Sequence, residues 1–141
     1  MRRFLICAGI VGAVAASAVP AALAGGRPFS TALSGANEAP GPGDPDGTGH
    51  ARVTLNQGQG EVCYDFTVAN VGPIVAGHIH RAPVGVAGPV VVPFPVATSL
   101  SGCVAADPEL IKEIRQNPTE FYVNLHPADF PAGAVRGQLG K

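Results

Sequence analysis

The sequence predicts an all-β domain, an antiparallel β-sandwich with one short inserted helix. Three observations carry that prediction. Six or seven short runs alternate apolar with polar residues, the period of a strand with one buried face. Nineteen glycines and fourteen prolines punctuate those runs at short intervals, as turns between strands require. Only one mature segment, around residues 107–117, spaces its apolar residues as a helix does.

Taken in order, Phe29 to Leu33 is a short strand, and Asn37 to Gly49 is a loop dense in Gly, Pro and Asp. Glu38, Asp44 and Asp46 offer oxygens there, but without the regular spacing of a calcium loop, so a solvated loop is expected. Ala51, Val53 and Leu55 alternate with Arg52, Thr54 and Asn56, and Gln57-Gly58-Gln59-Gly60 supplies a turn. Val62, Tyr64, Phe66 and Val68 then alternate with Cys63, Asp65 and Thr67, so the two runs read as a hairpin with Cys63 on its polar face. Ile74 to His80 is a strand, Pro83 to Gly88 a turn, Pro89 to Phe94 a Val-rich strand, and Thr98 to Gly102 a loop leading to Cys103. Asp107-Pro108 opens the helix, because Asp caps free N–H groups and Pro is tolerated in the first turn. Leu110, Ile111 and Ile114 form its apolar face, with Glu109, Lys112, Glu113 and Arg115 on its solvated face; Asn117-Pro118 ends it. Phe121, Val123 and Leu125 alternate with Tyr122, Asn124 and His126; Pro127 to Gly133 turns the chain, and residues 134–139 form the closing strand.

The first 24 residues read differently. Arg2-Arg3, an uncharged run of 16 residues from Phe4 to Val19, and Ala22-Leu23-Ala24 are the n-region, h-region and cleavage site of a signal peptide, with cleavage expected after Ala24. The apolar run is shorter than the ~20 residues a spanning helix needs. The expected product is a secreted, extracytoplasmic single domain over residues 25–141, monomeric and without a membrane span. The whole chain has nine basic and ten acidic residues; without Arg2 and Arg3 it keeps seven basic against ten, a formal −3. That balance excludes a basic face for nucleic acid. Cys63 and Cys103 are an even pair in an exported chain and read as a disulfide. Their bridge is expected to tie an outer loop onto the sheet.

Gly77-His78-Ile79-His80, Tyr122-Val123-Asn124-Leu125-His126 and Arg136-Gly137-Gln138-Leu139, in that order along the chain, are similar to signatures of the CHRD family, the domain named after chordin. Gly77-His78-Ile79-His80, Gly85 and Gly88-Pro89-Val90-Val91 resemble its central signature. Tyr122-Val123-Asn124-Leu125-His126, Phe130-Pro131-Ala132-Gly133 and Arg136-Gly137-Gln138-Leu139 resemble its C-terminal one. Leu33-Ser34-Gly35 with Glu38 and Pro40 resembles its opening, and the Cys63 and Cys103 pair resembles the bacterial secreted members. The resemblance runs from about residue 30 to residue 140 and implies an extracellular β-sandwich, of immunoglobulin-like or Cu/Zn superoxide dismutase-like Greek-key type. It implies no settled activity. Chordin's growth-factor partners are not carried over to a single domain that lacks chordin's other modules.

His78 and His80 are two residues apart on a predicted strand, so they share a face. His126 sits at the end of another strand, on the face away from Leu125. Neutral imidazoles from two strands can converge on one copper or zinc ion, and Tyr122 and Asn124 share the His126 face, where they can orient a ligand. The same geometry also suits a purely structural network bonded to backbone carbonyls, with Arg136 pairing with Asp129 or Asp65. The pattern is similar to the copper site of Cu/Zn superoxide dismutase. A two-metal dismutase site needs more ligands than this chain has, since His50 is the one other histidine. No Gly-x-Ser-x-Gly elbow, phosphate loop or paired-cysteine knuckle is present. Two functions are therefore expected: a non-enzymatic extracellular module that binds a protein or surface ligand, or a mononuclear metal-binding protein. The first calls for an exposed apolar patch near Phe94 and Pro95 or near Phe130 and Pro131.

Overall fold

The computed structural model describes residues 26–140; the predicted signal segment 1–24 lies outside them. Eight strands follow in chain order: β1 (Arg27–Ser34), β2 (Thr48–Asn56), β3 (Glu61–Ala69), β4 (Ile74–Arg81), β5 (Val90–Phe94), β6 (Ser101–Ala105), β7 (Phe121–Pro127) and β8 (Val135–Gln138). One helix, α1 (Pro108–Gln116), is inserted between β6 and β7. The strands form one antiparallel sheet in the order β5-β4-β7-β8-β1-β2-β3-β6.

This sheet folds at a thin seam. β1 and β8 meet through a single register pair, Ser34 with Arg136. It therefore divides into two four-stranded layers, β5-β4-β7-β8 and β1-β2-β3-β6. Phe94 of β5 lies 4.7 Å from the Tyr64 ring and 5.3 Å from the Phe66 ring of β3, so the margins of the two layers close against each other. The expected Greek-key return is present. After the β4–β5 hairpin the chain crosses to β6 on the far margin, and then comes back as β7 beside β4.

The alternation places the core as expected. Phe29, Leu33, Val53, Leu55, Val62, Phe66, Ile79, Val92, Val123 and Leu125 are all buried between the layers. Asp107 caps α1 by accepting a hydrogen bond from the Glu109 N–H at 2.8 Å, and Ile111 and Ile114 are fully buried against the core. Its outer face carries the Lys112–Glu109 pair, while Glu113 reaches Arg81 at 2.6 Å.

Two expectations are corrected here. Cys103 does not follow a loop over the sheet; it lies in β6, directly opposite Cys63 of β3. The Cys63–Cys103 disulfide therefore staples a margin strand to its neighbour. The residue 37–49 loop is not a solvated one throughout. Glu38 and Asp44 are buried, and Asp44 uses its Oδ1 to accept from the N–H groups of Asp46 and Gly47.

Candidate metal centre

The site lies on the outer face of the β5-β4-β7-β8 layer. Every residue of β7 is buried, on both faces, although only Phe121, Val123 and Leu125 point into the sandwich core. The segment 82–89 covers the other face. Arg136 holds it by donating to the carbonyls of Val86 (2.8 Å) and Pro83 (2.9 Å), and Gln138 donates to that of Ala82 (2.7 Å). The Gly88 N–H donates to the Tyr122 hydroxyl at 3.2 Å. A Cβ at Gly88 would fall 2.0 Å from the Arg81 carbonyl oxygen, so this close approach requires glycine.

Beneath that cover the structure brings His78, His80 and His126 together. β4 and β7 are neighbours, His78 sits opposite Asn124, and the pairing of β4 with β5 shifts register between Ile79 and His80. Such irregularities re-aim side chains. One nitrogen from each of the three histidines lies within 4.8 Å of the other two. His78 Nδ1 and His126 Nε2 are 3.2 Å apart. His80 stacks on Tyr122, the two rings 4.8 Å apart and 5° from parallel.

Backbone carbonyls set the tautomers. His80 Nδ1 lies 2.8 Å from the Gly88 oxygen, and His126 Nδ1 lies 3.0 Å from the Pro131 oxygen. A carbonyl can only accept, so both Nδ1 atoms carry the hydrogen, and both Nε2 atoms of the neutral rings present lone pairs. His80 Nε2 is buried with no hydrogen-bond partner. Burial favours the neutral form of all three rings. Burial, followed by the charges of His126 and His80, takes His78 down to about 4. Burial also lowers His80 and His126, against the opposing pull of the Gly88 and Pro131 carbonyls.

Two charged residues, Arg136 and Glu38, stand beside the cluster. Arg136 is 1% exposed, with its guanidinium 3.4 Å from the centre of the Tyr122 ring. It does not pair with Asp129 or Asp65. Asp65 lies opposite Arg52 in the other layer, and the carbonyls of segment 82–89 take the guanidinium's hydrogens instead. Glu38 is buried beside it. Burial pushes its carboxyl up to about 7, against the charge of Arg136 and the Asn124 amide, which pull it down.

Sequence reasoning placed His78 and His80 on one face of a strand, and His126, Asn124 and Tyr122 on one face of another, and the pairing of β4 with β7 brings the two sets together. It missed Glu38 as a member of this cluster, and it missed the carbonyls that orient the rings. At the first expected apolar patch Phe94 is 5% exposed, because it closes the margin between the layers, while Pro95 is exposed; at the second, Phe130 is half-buried and Pro131 exposed. Among the described residues the large exposed apolar ones are Val75, Val84, Val86 and Val90, and three of these four flank or lie in the covering segment.

The Cys63–Cys103 disulfide fits an oxidising compartment. Among the described residues no helix is long and apolar enough to cross a membrane. No curated protein and no solved structure matches the chain. A family model, the CHRD domain, matches residues 29–139, a span that holds all three histidines, Asn124, Arg136 and both bridged cysteines. On that match, which takes in nearly the whole described chain, the protein belongs to the CHRD domain family.

Proposed function

We propose that this chain is an extracytoplasmic, non-enzymatic CHRD module that holds one copper or zinc ion on His78, His80 and His126. The observation that carries this reading is His80. Its Nδ1 is committed to the Gly88 carbonyl, and its Nε2 is buried without a partner among two other imidazoles. A buried acceptor left unpaired costs about 1–3 kcal/mol. A purely structural network would supply a donor to that lone pair, whereas a metal ion is a partner that accepts it. The carbonyl bonds to the far ring nitrogens of His80 and His126 are those that orient metal-ligating histidines. Imidazoles held neutral need not lose a proton to bind a metal.

The test is metal analysis of the purified chain after exposure to copper(II) or zinc(II) and desalting. The wild type is expected to retain one ion per chain, and the His78→Ala, His80→Ala double variant none. Equal and negligible metal in both proteins overturns the reading.

A further inference from the structure

Resting on that reading, we infer that the side-chain oxygen of Asn124 is the fourth ligand of the ion. Asn124 is 2% exposed and sits on β7 between His78 on one neighbouring strand and Arg136 on the other. Its Oδ1 lies 3.0 Å from His126 Nε2. Because His126 Nδ1 donates to the Pro131 carbonyl, that Nε2 presents a lone pair. The amide oxygen therefore faces an acceptor, an arrangement with no attraction of its own. Turning the amide over would put an N–H there and make a hydrogen bond. The buried Glu38 carboxyl lies within reach of the Asn124 amide. Two acceptors pointed at one another across a buried gap make sense when a cation lies against both.

The spacing agrees. Four ligands at about 2.0–2.1 Å from a tetrahedral ion stand about 3.3 Å apart. The His78–His126 nitrogen pair is at 3.2 Å, and the Asn124–His126 pair is at 3.0 Å. Three neutral nitrogens and one neutral amide oxygen form a donor set for a divalent ion, since softer copper(I) favours sulfur.

The experiment measures zinc(II) affinity by chelator competition and the copper(II) electron paramagnetic resonance spectrum. It compares wild type, Asn124→Ala, Asn124→Asp and His126→Ala. Asn124→Ala should keep one ion per chain but lose roughly 10–100-fold in zinc affinity, and its copper spectrum should shift as an oxygen donor is lost. Asn124→Asp, which restores an oxygen of the same reach, should recover binding and guards against a folding defect in the alanine variant. If Asn124→Ala binds with wild-type affinity and spectrum while His126→Ala does not bind, the fourth-ligand assignment falls and the three-histidine site stands. If the wild type takes up no metal, the reading beneath it falls as well.

Discussion

Glu38 shows how far burial can move one group. Its carboxyl is shifted up to about 7, so the folded state holds its proton more tightly than the unfolded chain, where the ordinary value is 4.5. The resulting stabilisation is fully present below about pH 4.5 and is lost as pH rises through 7. The lowered histidines act with the opposite sign. Their contribution is present above the ordinary value of 6.5 and is lost as pH falls, toward about 4 for His78. The two trends overlap, so the variant isolates the carboxyl. Glu38→Gln should leave the acid limb in place, and its stability relative to wild type should rise steadily between pH 5 and pH 8. Urea unfolding of both proteins at several pH values in the metal-free state measures this. A difference that stays flat with pH would count against a buried, proton-holding carboxyl.

At the scale of elements, two connections carry the site and the margin. The segment 82–89 is clamped by Arg136, Gln138 and Tyr122, and its Gly88 has no room for a Cβ. Gly88→Ala should lift the segment, release the carbonyl that orients His80, and weaken zinc(II) binding by at least about tenfold. A chelator titration reads that directly, and unchanged affinity would show that the His80 tautomer is set elsewhere. The disulfide closes a separation of 40 residues between β3 and β6. Replacing both cysteines by alanine should lower stability by about 4 kcal/mol on the chain-entropy model, read from urea unfolding.

Most elements were legible because one face of each is apolar and buried. β6 was not, because all five of its residues are at least partly exposed and no burial period marks it. The buried outer face of β7 was half legible. Its polar residues were visible, but the cover over them comes from segment 82–89, more than 30 residues earlier in the chain. Charged side chains read as surface or as ion pairs in a sequence, so Glu38 was assigned to a solvated loop and Arg136 to an aspartate partner, whereas both are buried and Arg136 bonds to backbone carbonyls.

For the whole molecule, a ligand that binds the folded chain alone stabilises it by mass action. At a free concentration a hundred times the dissociation constant the gain is about 2.7 kcal/mol. In a domain of this size that corresponds to a rise in melting temperature of roughly 10 °C. Thermal unfolding with and without zinc(II) should show this rise for the wild type and not for the His78→Ala, His80→Ala variant. A rise of the same size in both would place the zinc somewhere else on the chain.

The order of strands has a consequence for when the centre exists. His78 and His80 belong to β4, but His126, Asn124 and Arg136 all arrive on the final hairpin, β7–β8, which also forms the single pair that joins the two layers. A chain halted before Phe121 has two histidines on a strand that lacks its inner neighbour. The ion can then be caught only after the last strands have been delivered and the seam has shut. On the proposed reading, occupancy of the centre would report a chain whose final hairpin is in place.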